Sequence, residues 1–194
     1  MKNSTTLIRG GVILVLLSSR LALAGSLLNP PLKEKFIMGW LESVFLRPCN
    51  IRLTAKLDSG AKTSSLHAYQ IEHFRKNNEE WVRFTLIEDG SKKPLTVERP
   101  LVRTAYIKEH KAMASKRDVV KLLLCKNGME YETEFTLVDR SNFNYPLLLG
   151  RSFLKDVALV DSDATFIYKA ENDPCLKNKT SESGFGRSNG SSHP

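Results

Sequence analysis

The run Ile51 to Ala68, IRLTAKLDSGAKTSSLHA, constrains this 194-residue chain more than any other stretch. Ile51, Leu53, Ala55 and Leu57 alternate with Arg52, Thr54 and Lys56, the period of a strand with one buried face. The alternation stops at Asp58-Ser59-Gly60. A carboxylate at the end of an apolar strand, followed by a small hydroxyl residue and a glycine that admits close approach, makes Asp58 the first candidate for catalysis. Taken by itself, the triplet is more simply a polar turn after a strand.

The surrounding pattern is mostly β. Gly39 to Leu46 is an apolar opening strand, and Trp81 to Ile87 is rich in aromatic and β-branched residues. Leu95 to Lys108 holds extended stretches interrupted by Pro100. Val119 to Cys125 and Glu130 to Val138 flank Lys126-Asn127-Gly128-Met129, in which Asn-Gly signals a hairpin. In the second arm Tyr131, Thr133, Phe135 and Leu137 alternate with Glu132, Glu134 and Thr136, so one face should be buried. Tyr145 to Leu149 then runs into Gly150 and a short helix-compatible segment ending near Asp156. Val157 to Asp161 and Thr165 to Tyr168 are expected as two final strands. Strands of this number and length with one helical turn predict a small closed or sandwich-like β domain.

The two ends differ from this middle. Lys2 and Arg9 precede an apolar stretch, Val12 to Leu17, and Ala22-Leu23-Ala24 offers small residues for cleavage, so residues 1–24 read as a signal peptide. Arg20 interrupts the pattern and leaves an uncleaved anchor open, although the stretch is short for a stable membrane span. The expected location is export, to the periplasm. Residues 170–194 are dominated by Ser, Gly, Asn, Asp and Lys and are expected to be a disordered tail, which leaves one domain, 25–169.

The net charge is +8, and removing the leader with Lys2, Arg9 and Arg20 leaves +5. Nine basic residues between Ser91 and Lys121 face only Glu98, Glu109 and Asp118, so this segment accounts for the whole excess. It is either a solvated basic loop or, near a cleft, an attraction for acidic peptides or an anionic surface. No nucleic-acid module accompanies it, so no nucleic-acid partner is expected. Three cysteines fit no disulfide framework and no CxxC metal pair. Cys125 reads as a buried strand residue, and Cys49 and Cys175 remain as a pair that export would permit.

The pairing of Leu57-Asp58-Ser59-Gly60-Ala61 with Leu147 to Leu154, LLLGRSFL, resembles the retropepsins, the single-lobe aspartic proteases. The block Ala55 to Ala68, with Gly39 to Glu42, Trp81 to Phe84 and Tyr145 to Arg151, is similar to a bacterial retropepsin-like family that carries the label ATP-dependent zinc protease. The steps at 117–120 and 135–140 also fit. Serine stands at position 59 where threonine is commoner, and the hydroxyl is kept. The resemblance implies a mainly β, single-lobe acid-protease barrel with one short C-terminal helix.

It also implies an aspartic peptidase with peptide or protein as substrate. Asp58 would be catalytic and Ser59, Gly60 and Ala61 would form the active-site loop. Lys62, Thr63 and Ser64 would either contact substrate or cap the loop. Gly150 and Arg151 would support it, with a plain surface arginine as the rival reading of Arg151. Peptide hydrolysis of this kind needs two carboxyls sharing a proton, and Asp161-Ser162-Asp163-Ala164 lacks the glycine of a second loop. A homodimer that brings together Asp58 from each subunit is therefore expected, with Ser59 bonding across the interface. Despite the zinc and ATP in the family label, His67, Glu72 and His73 are spaced unlike any zinc helix, and no phosphate-cradling glycine loop is present; no metal or other cofactor is expected. A non-catalytic peptide-binding or regulatory module of the same fold is the alternative. A metal-dependent hydrolase is the weaker one.

Overall fold

A computed structural model describes residues 34–109 and 112–177. The expected leader, 1–24, and the tail beyond residue 177 lie outside the described residues. Among the described residues, eleven strands form two sheets. β1 (Phe36–Arg47), β2 (Ile51–Leu57), β3 (Ser64–His67), β7 (Arg103–Glu109), β8 (Ala112–Lys126), β9 (Met129–Val138), β10 (Leu147–Leu149) and β11 (Ala158–Thr165) form the larger, in the order β11-β1-β2-β10-β3-β9-β8-β7. A further pairing of Phe45 to Arg47 with Leu123 to Cys125 joins β1 to β8, so six of these strands close into a ring. β4 (Tyr69–Lys76), β5 (Glu79–Ile87) and β6 (Pro94–Pro100) make a separate antiparallel sheet. No helix among the described residues is long and apolar enough to cross a membrane.

The alternation in the sequence explains the closure. Ile51, Leu53, Ala55 and Leu57 are all buried on β2. They meet Leu66, Val120, Leu122, Leu124, Phe135, Leu137, Leu147 and Leu149 in one core. Asn127 and Gly128 both adopt positive φ, 52° and 76°, the requirement of a two-residue type I′ turn, and the β8–β9 hairpin forms around them. Thr136, expected on the polar face, is buried because its hydroxyl donates to the Ser64 carbonyl of β3 at 3.1 Å.

The structure departs from the sequence reading at three places. A single strand, β11, replaces the two expected after the helix: Val157 belongs to α1 (Arg151–Val157), and positive φ at Phe166, 51°, follows the strand end. The strands β3 and β4 had no sequence expectation, because Ser64 to His67 is short and Tyr69 to Lys76 lacks a clean alternation. Part of the expected disordered tail is folded: residues 170–172 form a 3-10 turn, and Pro174–Lys177 a helical turn.

That C-terminal segment is also where the cysteine expectation fails. Cys175 pairs with Cys125, at a Cα–Cα distance of 5.8 Å, and Cys49 is free. The period of β8 explains the choice. Leu122 and Leu124 enter the main core, so Cys125 points to the opposite face, where it packs with Phe45, Ala170 and Cys175. Asp173, 3 % exposed, accepts the Asn127 N–H at 2.9 Å, the Gly128 N–H at 3.2 Å and the Cys175 N–H at 2.9 Å. Beneath it the buried Lys126 ammonium lies 3.0 Å from the Glu42 carboxylate and donates to the Ser43 and Tyr168 carbonyls. A polar sequence is thus folded through specific charge pairing and a covalent bond rather than through apolar content.

Candidate active site

Asp58 follows β2 directly. Its N–H donates to the Leu149 carbonyl at 2.9 Å, so the parallel β2–β10 pairing extends one residue to reach it. Its Oδ1 accepts the N–H groups of Gly60 at 2.9 Å and Ala61 at 3.3 Å. One carboxylate oxygen is therefore held by two backbone donors. The other, Oδ2, faces Lys56 Nζ at 3.5 Å. A Cβ at Gly60 would lie 3.1 Å from Asp58 Oδ1, so glycine keeps the carboxylate face open.

The second half of the resemblance, Leu147 to Leu154, supports this loop from below. The N–H groups of Arg151 and Ser152 donate to the carbonyls of Ala61 and Lys62 at 2.9 and 3.0 Å. Arg151 Nη1 donates to the carbonyls of Ser59 and Gly60, both at 2.8 Å. Gly150 is pressed against the loop: a Cβ there would lie 2.6 Å from the Thr63 carbonyl oxygen, a clash with backbone. Its N–H donates to Ser64 Oγ at 3.2 Å. Ser64 is fully buried and so belongs to the support, whereas Lys62 is exposed and Thr63 half-buried. Ser59 is exposed at the surface of the loop.

A cleft of about 390 Å³ opens beside Asp58, walled by Trp40, Phe143 and Tyr145 and carrying Lys56 and Arg140. Trp40 and Tyr145 meet edge to face with ring centres 6.0 Å apart. Arg140 had no sequence expectation of its own. It is 7 % exposed; its Nε donates to the Tyr145 carbonyl at 3.1 Å and its Nη1 to Ser65 Oγ at 2.8 Å, and its guanidinium lies 4.4 Å from the Phe143 ring centre. Burial lowers its pKa, the nearby charge of Arg117 adds to this, and the Asp58 carboxylate opposes both. The signal was present in the block at 135–140, which ends on this arginine, but nothing local says that it turns inward. Lys56 was read only as the polar beat of β2.

The basic segment 91–121 divides. Arg103 of β7 pairs with Glu134 of β9 at 2.6 Å, reaching across β8, and Lys121 of β8 with Glu132 of the neighbouring β9 at 2.7 Å. Arg99 donates to the Glu98 carbonyl. Arg117 is close enough to Arg140 for its charge to lower the Arg140 pKa. The histidines lie apart: His67 accepts the Arg140 N–H, and His73 Nε2 is 2.9 Å from the Asp118 carboxylate. No cluster of three or more His, Cys, Asp or Glu side chains is gathered for a metal among the described residues.

The RimB-like family model, described as retropepsin-like aspartic endopeptidase RimB, matches residues 37–171. The chain belongs to this family. The match begins in β1 and ends after β11, so it includes both the Asp58 loop and the segment that supports it. A crystal structure of a Legionella pneumophila protein of unknown function is similar at a TM-score of 0.61 and 34% identity, covering 69% of this chain and 98% of that one. A Shewanella halifaxensis protein named "Probable alpha-L-glutamate ligase" is 34% identical over 143 residues, which cover 72% of this chain and 31% of that protein. One of the same name from Desulfotalea psychrophila is 32% identical over 111 residues, covering 56% of this chain and 24% of that protein. The chain thus spans less than a third of the curated relatives it matches.

Proposed function

We propose that the chain is an aspartic endopeptidase that works as a homodimer on acidic peptides or protein tails. The observation that carries this reading is the setting of Asp58: one carboxylate oxygen held by two backbone N–H groups, the other turned to a cleft that contains Lys56 and Arg140. In the dimer, one Asp58 takes a proton from water as it attacks the peptide carbonyl, and the other protonates the leaving nitrogen. The carboxylates titrate as a pair. Lys56 and Arg140 would receive a substrate carboxylate beside the scissile bond, and the aromatic walls would hold its aliphatic part. The name glutamate ligase borne by relatives fits a substrate rich in glutamate.

An exposed cross-strand pair supports the location of the dimer contact. Ile37 and Leu159 are opposite one another on β1 and the sheet-edge strand β11, and are 58% and 57% exposed. Register places them at the Asp58 end of the sheet: Leu41 pairs with Lys56, so Ile37 lies about two residues, or roughly 7 Å, beyond the level of Asp58. We further propose export to an oxidising compartment. The Cys125–Cys175 disulfide supports it, because such bonds persist mainly outside the reducing cytosol.

The test compares wild type with Asp58→Asn on glutamate-rich peptides and on the same peptides with glutamine, alongside sedimentation. Cleavage by wild type alone, with glutamate preferred and a dimer present, is the expected result. Equal cleavage by both proteins sinks the aspartic mechanism. Tight peptide binding without cleavage by either protein supports the peptide-binding module instead.

A further inference from the structure

His67 is the last residue of β3 and pairs with Val138 of β9. Its Nδ1 accepts the backbone N–H of Arg140 at 2.8 Å, and its own backbone N–H donates to the Pro146 carbonyl at 2.7 Å. It therefore touches both ends of the loop 139–146, which supplies Arg140, Phe143 and Tyr145 to the cleft. A ring nitrogen that accepts a hydrogen bond carries no hydrogen. The contact requires the neutral imidazole with its proton on Nε2.

The charged and titratable groups around this ring are few. From the loop come the Asp139 carboxylate, with Oδ1 at 3.6 Å, and Arg140 itself. From β4 comes the Tyr69 ring, tilted against the imidazole at 6.0 Å. β9 contributes the apolar Val138. Asp139 accepts the Ser141 N–H at 2.8 Å; the hydrogen bonds from Ser141 keep its carboxyl below the usual aspartate range, with a smaller contribution from His67. An ionised carboxylate thus stands beside an imidazole whose other contact tolerates no proton.

We propose that His67 is a positioning residue for the cleft and makes its hold on an anionic substrate depend on pH. Neutral His67 fixes the Arg140 backbone, from which the guanidinium reaches Ser65, Tyr145 and Phe143. When solvent supplies a proton to Nδ1, the ring can no longer accept the Arg140 N–H and turns its new N–H to Asp139. The loop loses its anchor, and Arg140 loses its place opposite Asp58. The inference rests on the reading of Arg140 as a receiver of substrate carboxylates, and its sign is specific: acidic substrate is held less tightly once acid has put a proton on Nδ1.

Two measurements on the full chain separate this inference from the function it rests on. The first needs no activity. In ¹⁵N and aromatic NMR, His67 shows the Nε2–H tautomer at pH 7.5, and the Phe143 ring signals move together with the His67 titration. Asn at position 67 offers an oxygen where Nδ1 stood and has no proton to gain, so in His67→Asn the Phe143 signals hold still over the same range. A proton resident on Nδ1 at pH 7.5, or Phe143 signals that ignore the His67 titration, overturns the inference whatever the peptides do.

The second measurement is KM between pH 5.5 and 7.5 for a glutamate-rich peptide and its glutamine counterpart. Glutamate side chains remain almost wholly ionised over this range. Wild type shows KM rising about tenfold at the acid end for the glutamate peptide only, the size expected when one charge-assisted contact is lost. His67→Asn flattens that profile, and His67→Ala raises KM for the glutamate peptide even at pH 7.5. A flat wild-type profile together with a raised KM in Arg140→Met overturns the inference and leaves the acidic-substrate reading standing. Coupled NMR titrations without a glutamate preference support the positioning role and remove the substrate reading.

Discussion

Two of the places where this barrel sets a lysine beside a carboxylate are built in opposite ways. At the C-terminal clasp, Lys126 and Glu42 are 3% and 0% exposed and 3.0 Å apart, with further partners in the Ser43 and Tyr168 carbonyls. At the Asp58 loop, Lys56 and Asp58 are 42% and 27% exposed and 3.5 Å apart, and only one carboxylate oxygen is engaged by backbone. At the clasp the two charges are buried against each other and Lys126 keeps two carbonyl partners, which is what a buried ion pair needs to persist. The loop leaves capacity unspent in a cleft, which is what a reacting group needs. The same residue types thus form a buried pair at the clasp and leave one carboxylate oxygen without a backbone partner at the loop.

Breaking each side should give opposite signatures. Asp58→Asn should lower kcat/KM by at least about a thousandfold, since in a homodimer it removes both carboxyls of the catalytic pair, with a thermal midpoint within a few degrees of wild type. A large loss of stability would show instead that Asp58 is structural. Lys126→Met strands the Glu42 carboxylate in the core and should cost about 3–5 kcal/mol in urea unfolding, with kcat changed little at temperatures where the protein stays folded. A change below about 1 kcal/mol would mean that Glu42 finds another partner or water.

Cys175→Ser removes the bond that ties the C-terminal turn to β8 and should cost about 2–4 kcal/mol, with dithiothreitol lowering the wild-type melting temperature in the same direction. If reduction leaves that temperature unmoved, Asp173 alone holds the segment. Arg140→Met should raise KM for a glutamate-rich peptide about ten- to a hundredfold while the glutamine version shifts little, since a cationic contact to carboxylate is lost. Equal shifts for both peptides would reduce Arg140 to packing. The smallest effect concerns Cys49. Burial pushes its thiol pKa up, partly offset by Arg99, so at pH 7.5 it should alkylate several-fold more slowly than a free thiol and gain rate as pH rises past the ordinary cysteine range. Faster reaction than a free thiol would show an activated cysteine.

What was legible beforehand followed local rules. The period of two placed β2 and β9, Asn127-Gly128 marked the hairpin between β8 and β9, and the family resemblance linked Asp58-Ser59-Gly60 with Gly150-Arg151 as the two halves of the candidate site. Lys56 and Arg140 were invisible as site residues, because a strand's polar beat and a loop arginine look the same whether they face solvent or a cleft. The start of the tail was misread for a related reason. Ala170 to Lys177 has little apolar content, and its order comes from Asp173, Cys175 and partners some 45–50 residues away.

The sequence by itself determined a β domain with one candidate catalytic aspartate, because strand period and turn chemistry are properties of neighbouring residues, and its family resemblance added the supporting glycine-arginine step. Only the tertiary structure decided which cysteines join, which charges are buried and which cations line the cleft beside Asp58. Those outcomes depend on barrel closure, which brings β1 against β8 and the loop at 139–146 against the end of β2, and no local pattern encodes that closure.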